Sequence, residues 1–316
     1  MKNNRNIVTC LAGTALLLLI SYIALGIGDQ WISPFGSLSH DDALIVWQLR
    51  FPRLLTAFAV GGMLALAGAW FQVLLGNPLA EPYVLGVAGS ASVGAVSALV
   101  MLPGSTIALT AGAFAGAWLG IFAVMSFARL GQNRLLLAGV VLAAFWSAVL
   151  ALILALLPGR DLVVAFAWMM GDVSRGTIPS WLLLLLWGLA LACGMALSRS
   201  LDALLLGPRH AEALGVDVKL LQRRLLWSAS AVTALAVSAA GTIGFVGLVI
   251  PHLMRLIFGS MHRPVLIASA LGGGMLLMMA DSAARTVLAP VELPVGVLTA
   301  LVGVPVFLYL LVKRVR

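Results

Sequence analysis

Runs of about 20 apolar residues recur from Ile7 to Val312, and each can cross a hydrocarbon core roughly 30 Å thick. This recurrence fixes the solvent in which the chain folds. Only 9% of its 316 residues are charged and 62% are hydrophobic, against about 25% charged in an ordinary soluble domain. Too little polar surface is left to cover a water-soluble globule. In lipid every backbone N–H and C=O must be satisfied internally, which leaves helices or a closed barrel. The runs do not alternate apolar with polar residues as barrel strands do, so the expected class is an all-α membrane protein. Breaks at charges, Pro and Gly place helices near 7–28, 53–75, 84–102, 108–129, 135–157, 180–197, 225–242, 244–258, 265–286 and 293–312. They make a single transmembrane domain over 1–316 with about ten spans. The first run follows Lys2 and Arg5 like a signal peptide, but it lacks a small-residue cleavage site and reads as an uncleaved helix.

The net charge of +8 would suit nucleic acid only if the cations formed a patch beside aromatics. Instead, Lys and Arg lie in short segments between spans. With the N-terminus inside, all but Arg50, Arg53, Arg160, Arg175 and Arg285 fall on the cytoplasmic side, as the positive-inside rule requires. Both termini are therefore expected in the cytoplasm of a bacterial inner membrane, with lipid and not nucleic acid around the chain. Cys10 and Cys193 have no second cysteine or histidine at ligand spacing, so neither a disulfide nor a metal site is expected.

No Gly-x-x-x-x-Gly-Lys-Ser/Thr loop occurs, so the chain has no phosphate cradle of its own. Carboxylates within the spans are scarce, Asp281 and Glu292 lying near the outer ends of the last two. A proton or sodium carrier would place such groups at depth. Glycines inside spans, among them Gly61-Gly62, Gly68 and Gly272-Gly273-Gly274, suit close helix approach. Gly-Gly-Met-Leu at Gly61 and again at Gly273 hints at an internal repeat.

The longest hydrophilic stretch, residues 199–224, contains Leu206, Gly207, Pro208, Arg209, His210, Ala211, Glu212, Ala213, Leu214, Gly215 and Val216 in succession. Pro208 suits a first helical turn, Glu212 its polar face and Gly215 its termination. A short helix that docks a cytoplasmic partner accounts for a capped element here. On the opposite face stand Arg50-Phe51-Pro52-Arg53. These arginines can be helix-end side chains snorkelling to water, or, with Arg285, forked donors to the carboxylates of an outer partner. Asp281 and Arg285, at i and i+4, can also pair on one helix.

The chain resembles permeases of the iron-siderophore and vitamin B12 (FecCD-type) ABC importer family, of type II fold. The resemblance lies in Arg50-Phe51-Pro52-Arg53, Gly68 through Gln72, Asn77-Pro78-Leu79-Ala80-Glu81-Pro82, Leu85-Gly86-Val87 and Leu214-Gly215-Val216. It continues in Gly244 through His252 with Arg255, Ala280-Asp281 with Arg285, and Glu292 through Thr299. It implies a homodimer or related heterodimer of permeases, a cytoplasmic ATPase dimer that binds ATP and Mg, and a periplasmic binding protein. By the same resemblance Arg50, Arg53 and Arg285 receive binding-protein glutamates. Asn77 and Leu79 form a cytoplasmic gate with Gln132 and Asn133 as a second turn, and residues 206–216 are the helix that enters the ATPase. His252, after Pro251, is expected to satisfy backbone freed by the proline and not to bind metal. The expected function is ATP-driven import of a ferric siderophore, with vitamin B12 or haem as alternatives of the same fold. An ATP-independent transporter is the rival class. An intramembrane enzyme would need a nucleophile–base pair or paired carboxylates that are lacking.

Overall fold

The computed structural model describes residues 2–28, 30–127, 132–174 and 177–314, with side chains described within 12–28, 30–83, 85–127, 134–174 and 177–310. Among these residues all regular secondary structure is helical. The elements are α1 (Lys2–Gly26), α2 (His40–Leu44), α3 (Phe51–Leu74), α4 (Val87–Met101), α5 (Thr106–Phe127), α6 (Gln132–Leu156) and α7 (Gly159–Met169), followed by α8 (Ser180–Leu204), α9 (Pro208–Ala213), α10 (Val218–Ala240), α11 (Val246–Phe258), α12 (His262–Thr286) and α13 (Val295–Arg314). The ten expected spans correspond to α1, α3, α4, α5, α6, α8, α10, α11, α12 and α13.

Three differences from the sequence expectation have physical causes. Charges after Leu197 and before Leu225 end the hydrocarbon run but not the helix, so α8 and α10 extend beyond it towards α9. Asp217 caps α10 by accepting from the Leu220 N–H at 2.9 Å. Residues 158–179, expected as a connection, contain α7. Pro52 does not begin a helix: His40–Leu74 is one continuous helical stretch, with a π turn over Ile45–Arg50. Pro52 has no N–H for the i−4 ladder, and just before it the ladder widens, the Phe51 N–H bonding to the Val46 carbonyl.

α3 is the axis of the bundle. The apolar window of its helical stretch is 94% buried, against 6% for α6, and α8, α10, α11 and α12 surround it. Such enclosure needs backbones in near contact. A Cβ on Gly68 would overlap the carbonyl of Gly247 in α11, and one on Gly61 the carbonyl of Gly273 in α12. Small residues provide that approach where lipid gives helices no hydrophobic reason to associate.

α4 and α11, with 15 and 13 residues, are about 22 and 20 Å long at 1.5 Å per residue, short of the roughly 30 Å core. Each begins inside the bundle. The chain reaches α11 by the non-helical stretch 241–245 and reaches α4 by 75–86, which includes one 3-10 turn at Pro82–Leu85. These two stretches come from opposite ends and meet within the protein. Irregular backbone at membrane depth is tolerated only where protein or a cavity encloses it.

Gly68→Ala should destabilise the detergent-solubilised protein by about 2 kcal/mol or more through overpacking, read as a lower midpoint of thermal unfolding. Gly188→Ala on α8, with open space at its Cβ position, should leave the midpoint unchanged.

Candidate functional site

Predicted site residues gather at the two ends of the bundle. At the end where α3 begins, Arg53 lies between two carboxylates. Its Nε donates to both oxygens of Asp281 at 3.0 and 3.1 Å, and its Nη1 donates to both oxygens of Glu292 at 3.1 and 2.9 Å. Asp281 is buried at 1% exposure and is shared with Arg285, whose Nε stands 3.4 Å from it. Arg285 also donates to the carbonyls of Ala24 and Ile27 at 3.1 and 3.4 Å. Arg50 donates to the carbonyls of Leu25 and Gly26 at 3.0 and 2.7 Å. The three arginines therefore tie the end of α1 and the loop before α13 to α3 and α12. They also share one wall of an open cleft of about 720 Å³ that includes Glu292, Gln48 and Trp181. The i, i+4 pairing of Asp281 with Arg285 is present, but Arg53 makes the closer, two-pronged contact that sequence spacing could not reveal.

At the opposite end, α3 stops at Leu74 and Gly76 takes a left-handed φ of +57°. The Asn77 side chain then closes a tight turn: its Oδ1 accepts from the Leu79 N–H at 2.9 Å, and its carbonyl accepts from the Ala80 N–H at 3.1 Å. Leu79 is 41% exposed at the tip. Gln132 and Asn133 open α6, but their side chains lie outside the described residues.

α9 lies beyond α8 at this same end. Gly207 and Gly215, with φ of +97° and +82°, bracket it in backbone states that residues with a Cβ resist. After Ala213 the chain is closed by the Gly215 N–H on the Glu212 carbonyl at 2.9 Å and the Val216 N–H on the Ala211 carbonyl at 3.0 Å, the crossed bonding of a helix stop. Ala211 is buried while Leu206 and Leu214 are 63% and 65% exposed. Pro208, Arg209 and Glu212 are exposed beside them. Such a surface is a compact, rigid knob with two leucines and mixed charge.

Sequence reading missed three polar ties. Asp202, at the end of α8, accepts from the backbone N–H of His262 at 2.7 Å, and its Oδ1 is 2.9 Å from the His262 Nδ1. It thereby caps α12 from a neighbouring helix. Gln72 donates from Nε2 to the carbonyl of Leu248 at 3.2 Å, and its Oε1 accepts from Arg255. Glu81 and Tyr83 bond backbone of the 241–245 break. Each is a polar side chain beside or within an apolar run, and that was the available signal. His252 is buried and its ring packs edge-on to Phe307 at 6.4 Å.

The FecCD transport family model matches residues 10–313. The chain is 40% identical over 327 aligned positions to the vitamin B12 import system permease protein BtuC of Salmonella typhi, covering 100% of this chain and 98% of that one. It is 41% identical over 307 positions to BtuC of Vibrio cholerae, covering 95% and 92%. A solved metal-chelate type ABC transporter in an inward-facing conformation superposes with a TM-score of 0.86 at 30% identity, covering 96% of this chain and 98% of that one. The PsaBC structure from Streptococcus pneumoniae shares the fold alone, at a TM-score of 0.61 and 15% identity over 85% of this chain and 93% of that one.

Asp281→Asn should leave Arg53 and Arg285 without their shared buried counter-charge, lowering stability by about 3 kcal/mol. Thermal unfolding in detergent measures this, and Glu292→Gln, which alters a 53% exposed partner, should have little effect.

Proposed function

The chain belongs to the FecCD transport family and is an ABC importer permease, and from that premise we propose that it carries a corrinoid of the vitamin B12 class across a bacterial inner membrane. The observation that supports this cargo is identity of 40% along the whole chain with a vitamin B12 import permease. Sequence reading put a ferric siderophore first and vitamin B12 second; full-length identity favours the reverse order. The siderophore is kept as a second reading because the metal-chelate type transporter also matches at 30% identity.

In this proposal both termini are cytoplasmic, a second permease copy completes the path, and separate ATPase subunits, which bind ATP and Mg themselves, dock on α9. Exposed Leu206 and Leu214 suit an apolar groove in that partner, and Arg209 and Glu212 suit its rim. A periplasmic binding protein docks over the cleft of Arg50, Arg53 and Arg285. There Glu292, half-exposed on Arg53, occupies a place that a glutamate of the binding protein can take by exchange of one carboxylate for another. Asn77 and Leu79, with Gln132 and Asn133, form the inner gate, Leu79 closing the path with its exposed side chain.

Proteoliposomes holding this permease with the ATPase and binding protein of its neighbouring reading frames should accumulate labelled cyanocobalamin when supplied with ATP. Uptake of a ferric hydroxamate in its place would establish the second reading, and uptake independent of ATP would sink both. Gly215→Val forces a branched side chain into a left-handed conformation, at a cost of about 1 kcal/mol or more. Its Cβ position is open, so the strain is confined to the backbone of the knob. The variant should insert normally but co-purify poorly with the ATPase, or hydrolyse ATP without transport; intact association and coupling would remove α9 from the ATPase interface.

A further inference from the structure

The break between α10 and α11 is held by side chains from the connection that follows the Asn77–Ala80 turn. Tyr83 Oη accepts from the Ile243 N–H at 2.7 Å and donates to the Ile243 carbonyl at 2.8 Å. Glu81 Oε1 accepts from the Phe245 N–H at 2.6 Å. Phe245 has a φ of +68°, the one described non-glycine residue with positive φ, a state that persists only where its surroundings impose it. Glu81 and Tyr83 thus supply the bonds that non-helical backbone within a membrane protein requires.

The connection is tied on its other flank as well. The Asn77 N–H bonds to the Gln72 carbonyl at 3.1 Å, and the Gln72 side chain bonds to Leu248 in the first turn of α11. The turn therefore sits between two attachments to one short stretch, 243–248, and its own Asn77–Leu79 and Asn77–Ala80 bonds leave little slack. In the other direction, stretch 241–245 continues α10 directly, and α10 follows α9 across only Leu214 to Asp217.

We propose that Glu81 and Tyr83 are positioning residues that transmit displacement of α9 and α10 to the Asn77–Ala80 turn, so that the gate and the ATPase knob move as one mechanical unit. This rests on the assignment of the turn as gate and of α9 as ATPase contact. A bond that merely satisfied the break could come from any neighbouring element. Here both side chains come from the connection two and four residues beyond Leu79, where a shift of the 241–245 backbone must pull on the turn. The discontinuity thus serves as a joint, as broken helices do elsewhere in transporters.

The test uses Tyr83→Phe, Glu81→Ala and Glu81→Gln, the last keeping an acceptor oxygen for the Phe245 N–H. Hydrogen exchange on the solubilised full chain should show the Ile243 and Phe245 amides exchanging about tenfold faster in Tyr83→Phe and Glu81→Ala respectively. In both, the Leu79 and Ala80 amides should lose protection in parallel, and Glu81→Gln should match wild type. In proteoliposomes with ATPase and binding protein, Tyr83→Phe and Glu81→Ala should keep ATPase association and hydrolysis, while cargo moved per ATP falls about fivefold or more; Glu81→Gln should restore it. Loss of protection at 243 and 245 with the turn unchanged, or unchanged cargo per ATP, would overturn the proposal. The exchange measurement needs no cargo or ATPase, so it stands apart from a failure of wild-type uptake, which would count against the importer assignment itself. Tyr83→Phe preserves the side-chain volume, so it provides the decision if Glu81→Ala does not fold.

Discussion

Backbone contact between Gly68 of α3 and Gly247 of α11 is the constraint on which the interior depends. Lipid rewards no apolar side chain for leaving it, so helices associate by packing and by polar bonds. A helix as enclosed as α3 must be approached on several sides at once. Gly61 against Gly273 and Gly68 against Gly247 bring α12 and α11 to it at distances that any Cβ would forbid. α11 meets α3 this closely at its first turn, and the chain before it lies inside the bundle as non-helical backbone. The break at 241–245 is therefore backbone within the protein, and Tyr83 and Glu81 supply its bonds.

Polar side chains are then found where they join segments distant in sequence. Arg53, Asp281 and Glu292 link α3 to α12 and the loop before α13 at one end; Asp202 and His262 link α8 to α12 at the other. Removing Asp281 leaves Arg53 and Arg285 without their buried counter-charge, and removing Asp202 leaves the His262 N–H unmet, which costs more than each pair contributes. Such pairs therefore act as specifications of register. α12, for example, is fixed at both ends, by Asp202 at its start and by Arg53 near its finish, while its middle is fixed by glycine contact.

The ten apolar helices could be read from sequence because charges, Pro and Gly interrupt the apolar runs between them, and α9 could be read because Pro208 and Gly215 are local signals. Where charge stops the hydrocarbon but not the helix, as at Leu197 to Leu204, hydropathy and backbone structure part company. The partners of Arg53 were less legible: Asp281 and Glu292 were seen, but a bond between positions 53 and 281 depends on helix packing that no local pattern encodes. The break at 241–245 was hidden for a related reason. Gly241 fell inside the expected helix 225–242 and Gly244 at the start of 244–258, and only the enclosure of α11 against α3 shows that non-helical backbone lies here, inside the protein. Cargo is least legible, since the family resemblance covers siderophore, haem and vitamin B12 permeases of the same fold alike.

The connection from α9 to α10 shows why a six-residue helix can act as a lever. A flexible loop would absorb displacement in its own backbone torsions. Between Ala213 and Val218, however, Gly215 and Val216 donate their N–H groups back into α9, and Asp217 caps the first turn of α10. Every residue of this joint is committed to one helix or the other, leaving few torsions free to yield. In the proposed coupling, force on Leu206 and Leu214, which flank α9, would be passed to α10 along its length, about 34 Å at 1.5 Å per residue, and released where that helix ends. It ends at Ala240, just before the interior break, so the stretch that Glu81 and Tyr83 hold is where the proposed motion of the surface knob would arrive.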